Sequence, residues 1–236
     1  MNPSIIFDFD GTLAVGNGPV LAYARYAAEA AADDYLTRVA AELTIYDQGE
    51  SRFRDGYDVV GTLAREDGVD EITLQAAYQH SRTHLGTDDA PVSPAPGLLD
   101  LLQSLDPGIR IILATNAPGE GIPALLESWG LTDRFAATHF TVGKPVGLEP
   151  ILTAALADGP VLSIGDIFAF DLAPAQALGA DTALVGATAH TSPASPTLRG
   201  ATLADLAPDI HRWAASALGA SASPLSTTPH HTSTER

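Results

Sequence analysis

The sequence predicts an α/β fold in which helices cover both faces of a parallel sheet and a helical unit is inserted after the first strand. From residue 98 onward, short apolar runs alternate with segments of helical periodicity, as expected when each strand is followed by a crossover helix. Residues 19–85 are instead alanine-rich, with helical periodicity and no convincing strand. The chain of 236 residues, 45% of them apolar, is long enough for a core domain and one insertion.

The first predicted strand is a short apolar run, residues 4–7, which ends abruptly in acidic residues. The helices predicted for the insertion cover residues 19–24, 34–46, 52–65 and 70–85. Residues 86–97, rich in Pro, Asp, Ser and Thr, are predicted to be a linker. Beyond it we predict helices at 98–105, 122–129, 150–157, 172–178 and within 203–218, and strands at 109–114, 161–164 and 182–185.

This pattern divides the chain into a core domain, an inserted cap and a tail. We assign residues 1–15 and 92–218 to the core and residues 16–91 to the helical cap. The last segment, residues 219–236, is dominated by Ser, Thr, Ala and Pro and has little to bury, so we expect it to be disordered.

The acidic composition narrows the classes of function. A formal net charge of −17 opposes binding to nucleic acid and to anionic membrane surfaces. The chain has no cysteine, which rules out disulfides. It shows neither a signal peptide nor an apolar run of membrane-spanning length, so we expect a soluble cytoplasmic protein. An enzyme of anionic substrates with this charge would need a metal ion or a few well-placed cations.

Asp8 and Asp10 follow the first predicted strand and are the first candidates for chemistry. Two carboxylates one residue apart can face one cavity once the chain leaves strand geometry, and Gly11 allows the tight turn that this requires. A solvated acidic turn is the alternative, and the pattern also resembles a calcium-binding loop. Ala14 and Gly16, however, do not supply the regularly spaced ligands of an EF-hand.

Three further candidates could bind an anionic oxygen. Thr115 and Asn116 follow the predicted strand 109–114, where a hydroxyl and a carboxamide can donate hydrogen bonds; a helix cap or a turn is the alternative. Lys144 is the chain's only lysine, and its compact ammonium suits a single phosphoryl oxygen. A lone lysine is, however, more often an exposed loop residue.

Asp166 and Asp171 follow the predicted strand 161–164. Asp166 could complete a carboxylate set for a hard divalent cation such as Mg²⁺, with Asp171 in support. The alternative is a helix N-cap followed by an acidic first turn. Because ligands bind at the carboxyl ends of parallel strands, candidates that follow different strands are expected to meet at one site.

In their order and spacing these residues resemble the haloacid dehalogenase superfamily, specifically its phosphatase branch, which includes enzymes similar to phosphoglycolate phosphatase. The resemblance covers residues 3–215 and implies a Rossmann-like core, and the helical insertion is similar to the family's C1-type cap. One departure is Phe170, where many relatives carry Asn or another polar residue. The four motifs are matched by Asp8-Phe9-Asp10-Gly11-Thr12-Leu13, Thr115-Asn116, Lys144-Pro145, and Gly165-Asp166 with Asp171.

The resemblance implies a Mg²⁺-dependent phosphohydrolase that forms a transient aspartyl-phosphate. In such a mechanism Asp8 is the nucleophile, and Asp10 protonates the leaving oxygen and then activates water. Mg²⁺ would be held by Asp8, Asp166 and the backbone carbonyl of Asp10.

The same resemblance gives the other residues supporting roles. Thr115, Asn116 and Lys144 would stabilise the phosphoryl oxygens in the transition state. Asp171 would orient Lys144 or a metal-bound water. A C1-type cap would close over the site and favour small phosphorylated metabolites, among which sugar phosphates, phosphoglycolate and nucleotides stay open. The oligomeric state also stays open.

Other activities on the same scaffold are alternatives. The dehalogenase branch is similar but lacks a second aspartate equivalent to Asp10, and a phosphonatase would need a cap lysine, which this sequence does not have. A phosphomutase and a non-catalytic phosphate-binding protein both stay open on sequence alone.

The cap contains weaker candidates. His80 and His84 are four residues apart on one helix face and could share a metal, but such pairs are more often surface residues. Arg52 or Arg54 could reach the distal part of a substrate, but a solvated helix face is the commoner arrangement. The cap tyrosines are interpreted as packing residues: Tyr46, Tyr57 and Tyr78.

Overall fold

The computed structural model describes residues 2–222 of the chain, and no helix in this range is long and apolar enough to cross a membrane. The strands are β1 (Ser4–Phe7), β2 (Ala14–Val15), β3 (Ser93–Pro94), β4 (Arg110–Ala114), β5 (Ala137–His139), β6 (Val161–Gly165), β7 (Asp181–Val185) and β8 (Leu198–Gly200). The helices are α1 (Gly18–Ala27), α2 (Tyr35–Asp47), α3 (Gly56–Glu66), α4 (Glu71–Thr83), α5 (Leu98–Ser104), α6 (Ile122–Ser128), α7 (Glu149–Asp158), α8 (Ala173–Ala177) and α9 (Leu203–Ala222). Short helical turns cover Thr132–Arg134, Val146–Leu148 and Phe168–Leu172.

Six strands form one parallel sheet in the order β5-β4-β1-β6-β7-β8. β1 lies at its centre, with Ser4 in register with Arg110 of β4 on one side and Val161 of β6 on the other. All four residues of β1 are buried, as expected for an apolar strand covered on both faces. The chain builds the sheet outward first on the β4 side and then on the β6 side. Such a reversal of direction opens a crevice at the carboxyl ends of the central strands.

The helices cover both faces of the sheet. Because side chains alternate along a strand, Ile5 and Phe7 belong to one apolar cluster, with residues of α5, α6 and α9. Ile6 belongs to a second cluster, with residues of α7 and α8. The predicted α/β fold class, with a Rossmann-like parallel sheet between helical layers, is therefore confirmed.

Helices α1 to α4 pack around an apolar cluster of their own. Within it, the buried hydroxyl of Tyr35 donates a hydrogen bond to the carbonyl of Val60 at 2.9 Å and so links α2 to α3. Asp55 and Asp70 cap the first turns of α3 and α4 with their side chains. These four helices form the helical insertion expected from the sequence, while the assignment of residues 16–91 to a separate domain stays a prediction.

A two-stranded antiparallel ribbon joins the two parts of the molecule. Ala14 pairs with Pro94 and Val15 with Ser93, at the points where the chain enters and leaves the helical insertion. The backbone N–H of Ala95 extends the ribbon by donating to the carbonyl of Leu13 at 2.8 Å. The two chain segments that connect the sheet with the helical insertion are thus paired side by side, within three residues of the predicted domain boundaries.

Elements that the sequence did not predict are short or lie at an edge. β5 and β8 have three residues each, and in both strands the middle residue is exposed, so neither produces an apolar run in the sequence. β2 and β3 have two residues each, and β3 lies inside the predicted linker 86–97. The third cap helix begins at Gly56 rather than at residue 52, because the Asp55 side chain caps it there.

The last helix is longer than predicted. α9 continues through Ala222 and so includes the first four residues of the segment 219–236, for which disorder is predicted. The alanines in this stretch favour helix extension. The remainder of that predicted tail, residues 223–236, lies outside the described residues.

Replacement of Leu102 by alanine tests the packing of α5 on the sheet. Leu102 is fully buried in the main apolar cluster, so Leu102→Ala is expected to lower the free energy of unfolding by about 2 to 5 kcal/mol. Leu36→Ala removes the same atoms from an exposed position on α2 and should change it by less than about 0.5 kcal/mol. Urea denaturation followed by circular dichroism measures both, and equal effects would contradict the packing described.

Candidate active site

Three neighbouring strands of the sheet end in polar residues at the same edge. Asp8 follows β1, Thr115 follows β4 and Asp166 follows β6, and these three strands are hydrogen-bonded neighbours in the sheet. Backbone hydrogen bonds continue the sheet into this edge: the N–H of Asp8 donates to the carbonyl of Ile164 at 2.9 Å. The sheet thus brings together side chains that are far apart in the sequence.

Lys144 forms the centre of this edge. Its ammonium donates to Oδ1 of Asp8 at 2.6 Å and to Oδ1 of Asp171 at 2.7 Å. The Lys144 side chain is only 3% exposed. Although burial lowers it, the two carboxylates raise the pKa of Lys144 above its ordinary value, so the side chain stays charged. One ammonium therefore bridges two carboxylates, one directly after β1 and one in the turn that follows β6.

The loop that carries Lys144 is fastened to the end of β4. The backbone N–H of Lys144 donates to Oδ1 of Asn116 at 2.7 Å, and the N–H of Val142 donates to the carbonyl of Thr115 at 3.0 Å. The Thr115 hydroxyl oxygen accepts the N–H of Ala117 at 3.0 Å. Asn116 uses only its oxygen in these contacts, so its amide N–H groups stay free to donate to a ligand.

Asp171 lies in the helical turn Phe168–Leu172 and is almost completely buried. Its Oδ2 accepts the backbone N–H of Ile167 at 3.0 Å, while its Oδ1 accepts from Lys144. A side chain at Gly165 would place its Cβ 2.3 Å from the Cβ of Asp171, so glycine is required for this close approach. Asp171 thus contacts Lys144 directly, while its role in orienting Lys144 or a metal-bound water stays a prediction.

Asp8, Asp166 and Asp171 form a cluster suited to a divalent cation. Each offers a carboxylate oxygen, and the three oxygens lie within 4.8 Å of one another. Oδ1 of Asp166 is buried and has no hydrogen-bond partner among the described residues. Gly11, with a positive φ of 81°, leaves room for the Asp166 carboxylate, whose Oδ2 would lie 2.3 Å from a Cβ at that position. An all-oxygen set with an unsatisfied buried carboxylate fits Mg²⁺, which prefers hard oxygen ligands.

The electrostatics of the cluster also favour a cation. Burial raises the pKa of Asp8 to about 7, against the lowering effect of Lys144 and with a further rise from Asp171. Burial, followed by the charges of Asp8 and Asp171, raises the pKa of Asp166 well above its ordinary value. Because one ammonium cannot balance three carboxylates, additional positive charge would be needed to keep all three ionised at neutral pH.

A cavity of about 550 Å³ opens over these residues between the sheet edge and the helical insertion. On the sheet side it is lined by Asp8, Asp10, Thr115, Asn116, Lys144, Asp166 and Asp171. Every site residue predicted from the sequence thus faces a single cavity. The opposite wall comes from the insertion and includes Tyr46, Asp55, Tyr57 and Tyr78. The cap tyrosines, interpreted from sequence as packing residues, therefore also contribute to the cavity wall.

Asp10 is set apart from the acidic cluster. Its carboxylate faces Arg82 of α4, whose Nη1 donates to Oδ1 at 3.0 Å, and it is not one of the three clustered aspartates. A metal contact through the backbone carbonyl of Asp10 stays a prediction.

Sequence analysis did not find Arg82. The residue lies 72 positions from Asp10 and has no motif around it, so only the tertiary structure reveals the contact.

The weaker candidates in the cap do not line the cavity, although the Arg54 guanidinium lies 5.1 Å from the ring centroid of Phe170, which does. Arg52 forms a 3.8 Å ion pair with Glu66, and Arg54 pairs with Asp58 at 3.0 Å; neither arginine lines the cavity. The rings of His80 and His84 have centroids 5.2 Å apart, next to Tyr26. Within residues 2–222 the acidic cluster at the sheet edge is the single group of three or more potential metal ligands whose donor atoms lie close together, and the histidine pair does not belong to such a group.

Comparison with known proteins identifies the family. The sequence profile of haloacid dehalogenase-like hydrolases matches residues 4–179. The chain therefore belongs to the haloacid dehalogenase-like hydrolase family and is an enzyme of that hydrolase class. No curated protein sequence matches the chain.

Solved structures support the same fold at low sequence identity. YfnB from Bacillus subtilis, assigned as a haloacid dehalogenase-type hydrolase and crystallised with magnesium, is 19% identical, with a TM-score of 0.59 over 88% of this chain and 97% of that one. A protein from Lactobacillus plantarum assigned as a phosphoglycolate phosphatase is 19% identical, with a TM-score of 0.57 over 86% and 96% of the two chains. L-2-haloacid dehalogenase from Xanthobacter autotrophicus is 19% identical, with a TM-score of 0.53 over 89% and 98%.

The crowding of carboxylates predicts that Asp166→Asn stabilises the metal-free protein. A carboxyl whose pKa is raised on folding makes the folded state less stable as the pH rises above the unfolded-state value, so the amide removes this penalty. In EDTA at pH 8 we expect the free energy of unfolding to rise by about 1 to 2 kcal/mol. The exposed Asp133→Asn serves as the control and should change it little. A decrease for Asp166→Asn in urea denaturation would contradict this account of the site.

Proposed function

We propose that this haloacid dehalogenase-like hydrolase is a Mg²⁺-dependent phosphatase that hydrolyses a small phosphorylated metabolite through an aspartyl-phosphate on Asp8. The observation that carries the proposal is the bridge of Lys144 between Asp8 and Asp171, beside the unpartnered carboxylate oxygen of Asp166. This arrangement combines a nucleophile, a fixed positive charge and oxygen ligands for a cation at the floor of one cavity.

Asp8 has the properties of the nucleophile. It lies at the floor of the cavity, and its carboxylate is held by the ammonium of Lys144. The Asp8 carboxylate attacks phosphorus, the bond from phosphorus to the leaving oxygen breaks, and an acyl phosphate forms on Asp8. This covalent step divides a difficult hydrolysis into two easier displacements.

Asp8, Asp166 and the backbone carbonyl of Asp10 would hold Mg²⁺, with Asp171 close enough to contribute through its free lone pairs. The ion supplies positive charge that reduces the repulsion between the Asp8 carboxylate and the phosphate. The magnesium-bound crystal form of the similar YfnB supports this assignment.

Thr115, Asn116 and Lys144 are placed to bind the phosphoryl oxygens. The Thr115 hydroxyl and the Asn116 amide both line the cavity and retain free donor hydrogens. Negative charge is spread over the equatorial oxygens in the transition state, so donors fixed in position lower its energy. The hydrogen bond from the Lys144 backbone to Asn116 fixes the Asn116 side chain relative to the loop that carries Lys144.

Asp10 is the proposed acid and base. Asp10 enters the cycle as the carboxylic acid: in the first step it gives its proton to the leaving oxygen, and in the second its carboxylate takes a proton from the water that attacks the acyl phosphate on Asp8. The products are the free alcohol and inorganic phosphate, with both aspartates returned to their starting states. Its position beside Asp8 at the cavity wall suits both transfers.

The cavity supports a small metabolite as substrate. Its volume of about 550 Å³ suits a phosphate ester of modest size, and the helical insertion closes one side. The similar protein from Lactobacillus plantarum is assigned as a phosphoglycolate phosphatase, and phosphoglycolate is a small phosphate ester of this kind. We propose that the enzyme does not act on nucleic acid, since the chain carries a formal charge of −17, which opposes binding to a phosphate backbone.

Dehalogenation is the second candidate, because the similar solved structures include 2-haloacid dehalogenases from Xanthobacter autotrophicus and Pseudomonas syringae. Asp10 favours the phosphatase, since an alkoxide leaving group needs a proton whereas a halide does not. Release of chloride from L-2-chloropropionate, measured beside phosphate release, distinguishes the two activities.

Asp8→Asn tests the covalent mechanism. The amide has nearly the same shape but is a poor nucleophile, so hydrolysis of p-nitrophenyl phosphate should fall by about 10⁴-fold or more. The control Asp133→Asn exchanges the same groups at an exposed site and should retain full activity. Matching circular dichroism spectra would show that both variants are folded, and retained hydrolysis by Asp8→Asn would overturn the mechanism.

Removal of the metal tests the role of the acidic cluster. Hydrolysis should be lost in EDTA and restored by added Mg²⁺, because the carboxylates otherwise repel the phosphate. Isothermal titration calorimetry with Mg²⁺ gives a second reading that does not depend on turnover. We expect binding to the wild type and to Asp133→Asn, and at least tenfold weaker binding to Asp166→Asn. Equal binding by all three would exclude the cluster as the metal site.

A further inference from the structure

Arg82 occupies an unusual position for a charged residue. It lies in the last turn of α4, and its side chain is only 1% exposed. Nη1 donates to Oδ1 and Oδ2 of Asp10 at 3.0 and 3.3 Å and to the hydroxyl of Tyr57 at 3.1 Å. Its Nε and Nη2 are buried with no partner among residues 2–222. A buried cation with unused donors is unfavourable for folding, which points to a use in the function.

The backbone around Arg82 is anchored to the core. Leu85, three residues further along, belongs to the main apolar cluster of the sheet domain. Leu85 also lies 3.0 Å from the position that a Cβ on Gly121 would occupy, at the start of α6. The backbone at the end of α4 is therefore anchored to the core, and the guanidinium is hydrogen-bonded to the Tyr57 hydroxyl of the cap. A side chain fixed at both ends can fix the direction of its partner.

The contact holds Asp10 without enclosing it. Asp10 is 25% exposed and lines the cavity, whereas Arg82 does not line it. A single nitrogen approaches both carboxylate oxygens, which leaves a further lone pair on each oxygen for a substrate on the cavity side. The Asp10 carboxylate is consequently directed by the helical insertion towards the space where the leaving oxygen would lie.

We propose that Arg82 is a positioning residue that directs the Asp10 carboxylate for proton transfer to and from the reacting oxygens. Arg82 does not contact the substrate and acts through Asp10, with Tyr57 fixing the guanidinium. This role rests on the phosphatase function proposed above. It also makes proton transfer depend on the docking of the helical insertion, since Arg82 and Tyr57 both belong to it.

A double-mutant cycle on kcat/KM for phenyl phosphate tests whether Arg82 acts through Asp10. Phenolate is a poorer leaving group than p-nitrophenolate and depends more on protonation. Positioned acid–base groups contribute about 10²- to 10⁴-fold, so Arg82→Gln should lower kcat/KM by about 100-fold. In the Asp10→Asn background the same change should lower it by less than about threefold, since residues that act as a unit are not additive. An equal loss in both backgrounds would overturn the positioning role.

A second reading separates positioning from a structural role. For Arg82→Gln the ratio of kcat/KM for p-nitrophenyl phosphate to that for phenyl phosphate should rise about tenfold, because the better leaving group needs less protonation. Loss of folding alone would lower both values equally, and that result would overturn the proposal. Arg82→Lys should recover part of the loss, and Tyr57→Phe should shift the ratio in the same direction by a smaller factor.

Arg52→Gln is the matched control. Arg52 is an exposed arginine of the same helical insertion and lies 3.8 Å from Glu66. Its replacement should therefore leave unchanged both kcat/KM for phenyl phosphate and the ratio between the two substrates. Thermal denaturation of each variant shows whether it is folded; should Arg82→Gln not fold, Arg82→Lys and Tyr57→Phe carry the cycle instead. A wild type without phosphatase activity would overturn the proposed function and this role together. An active wild type with an additive cycle would overturn the role of Arg82 alone.

Discussion

The site depends on one interaction, the bridge that Lys144 forms between Asp8 and Asp171. Without it, carboxylates from β1, β6 and the following turn would face each other in a buried space with no opposite charge. The bridge is possible because the Lys144 loop is tied to Asn116 at the end of β4, so that strands on both sides of β1 contribute. The order of strands in the sheet therefore determines the electrostatics of the site.

The clustered aspartates that suit the site for binding a cation also destabilise the folded protein. The raised pKa values of Asp8 and Asp166 indicate that the folded protein accepts unfavourable charge at the sheet edge. The buried apolar layers on both faces of the sheet compensate for it, and the fully buried β1 fixes the position from which Asp8 projects. A cation that binds the folded chain would add stability by mass action, so the binding of metal and the folding of the domain are linked.

The sequence could predict the parts of the fold and of the site that follow from local pattern. The central strands are apolar runs, and the residues just after them lie at the ligand-binding edge, which is why Asp8, Thr115 and Asp166 were identified without coordinates. The edge strands β5 and β8 are too short to give such a run. Arg82 gave no signal, because its partner Asp10 is 72 residues away and an arginine in a helical pattern is usually exposed.

The cavity wall formed by the helical insertion shows why local sequence pattern also does not predict the residues that would select the substrate. Tyr57 and Tyr78 have ring centroids 5.6 Å apart and pack within the helical insertion, in keeping with their interpretation as packing residues, yet both also line the cavity. Whether a tyrosine is a core residue or a binding residue depends on how the insertion docks on the sheet, which local periodicity does not encode. In the proposed reaction the phosphate would be bound by residues at strand ends, whereas the leaving group would meet residues fixed by tertiary packing. Arg82 joins the two regions, since it reaches from the insertion to the loop at Asp10.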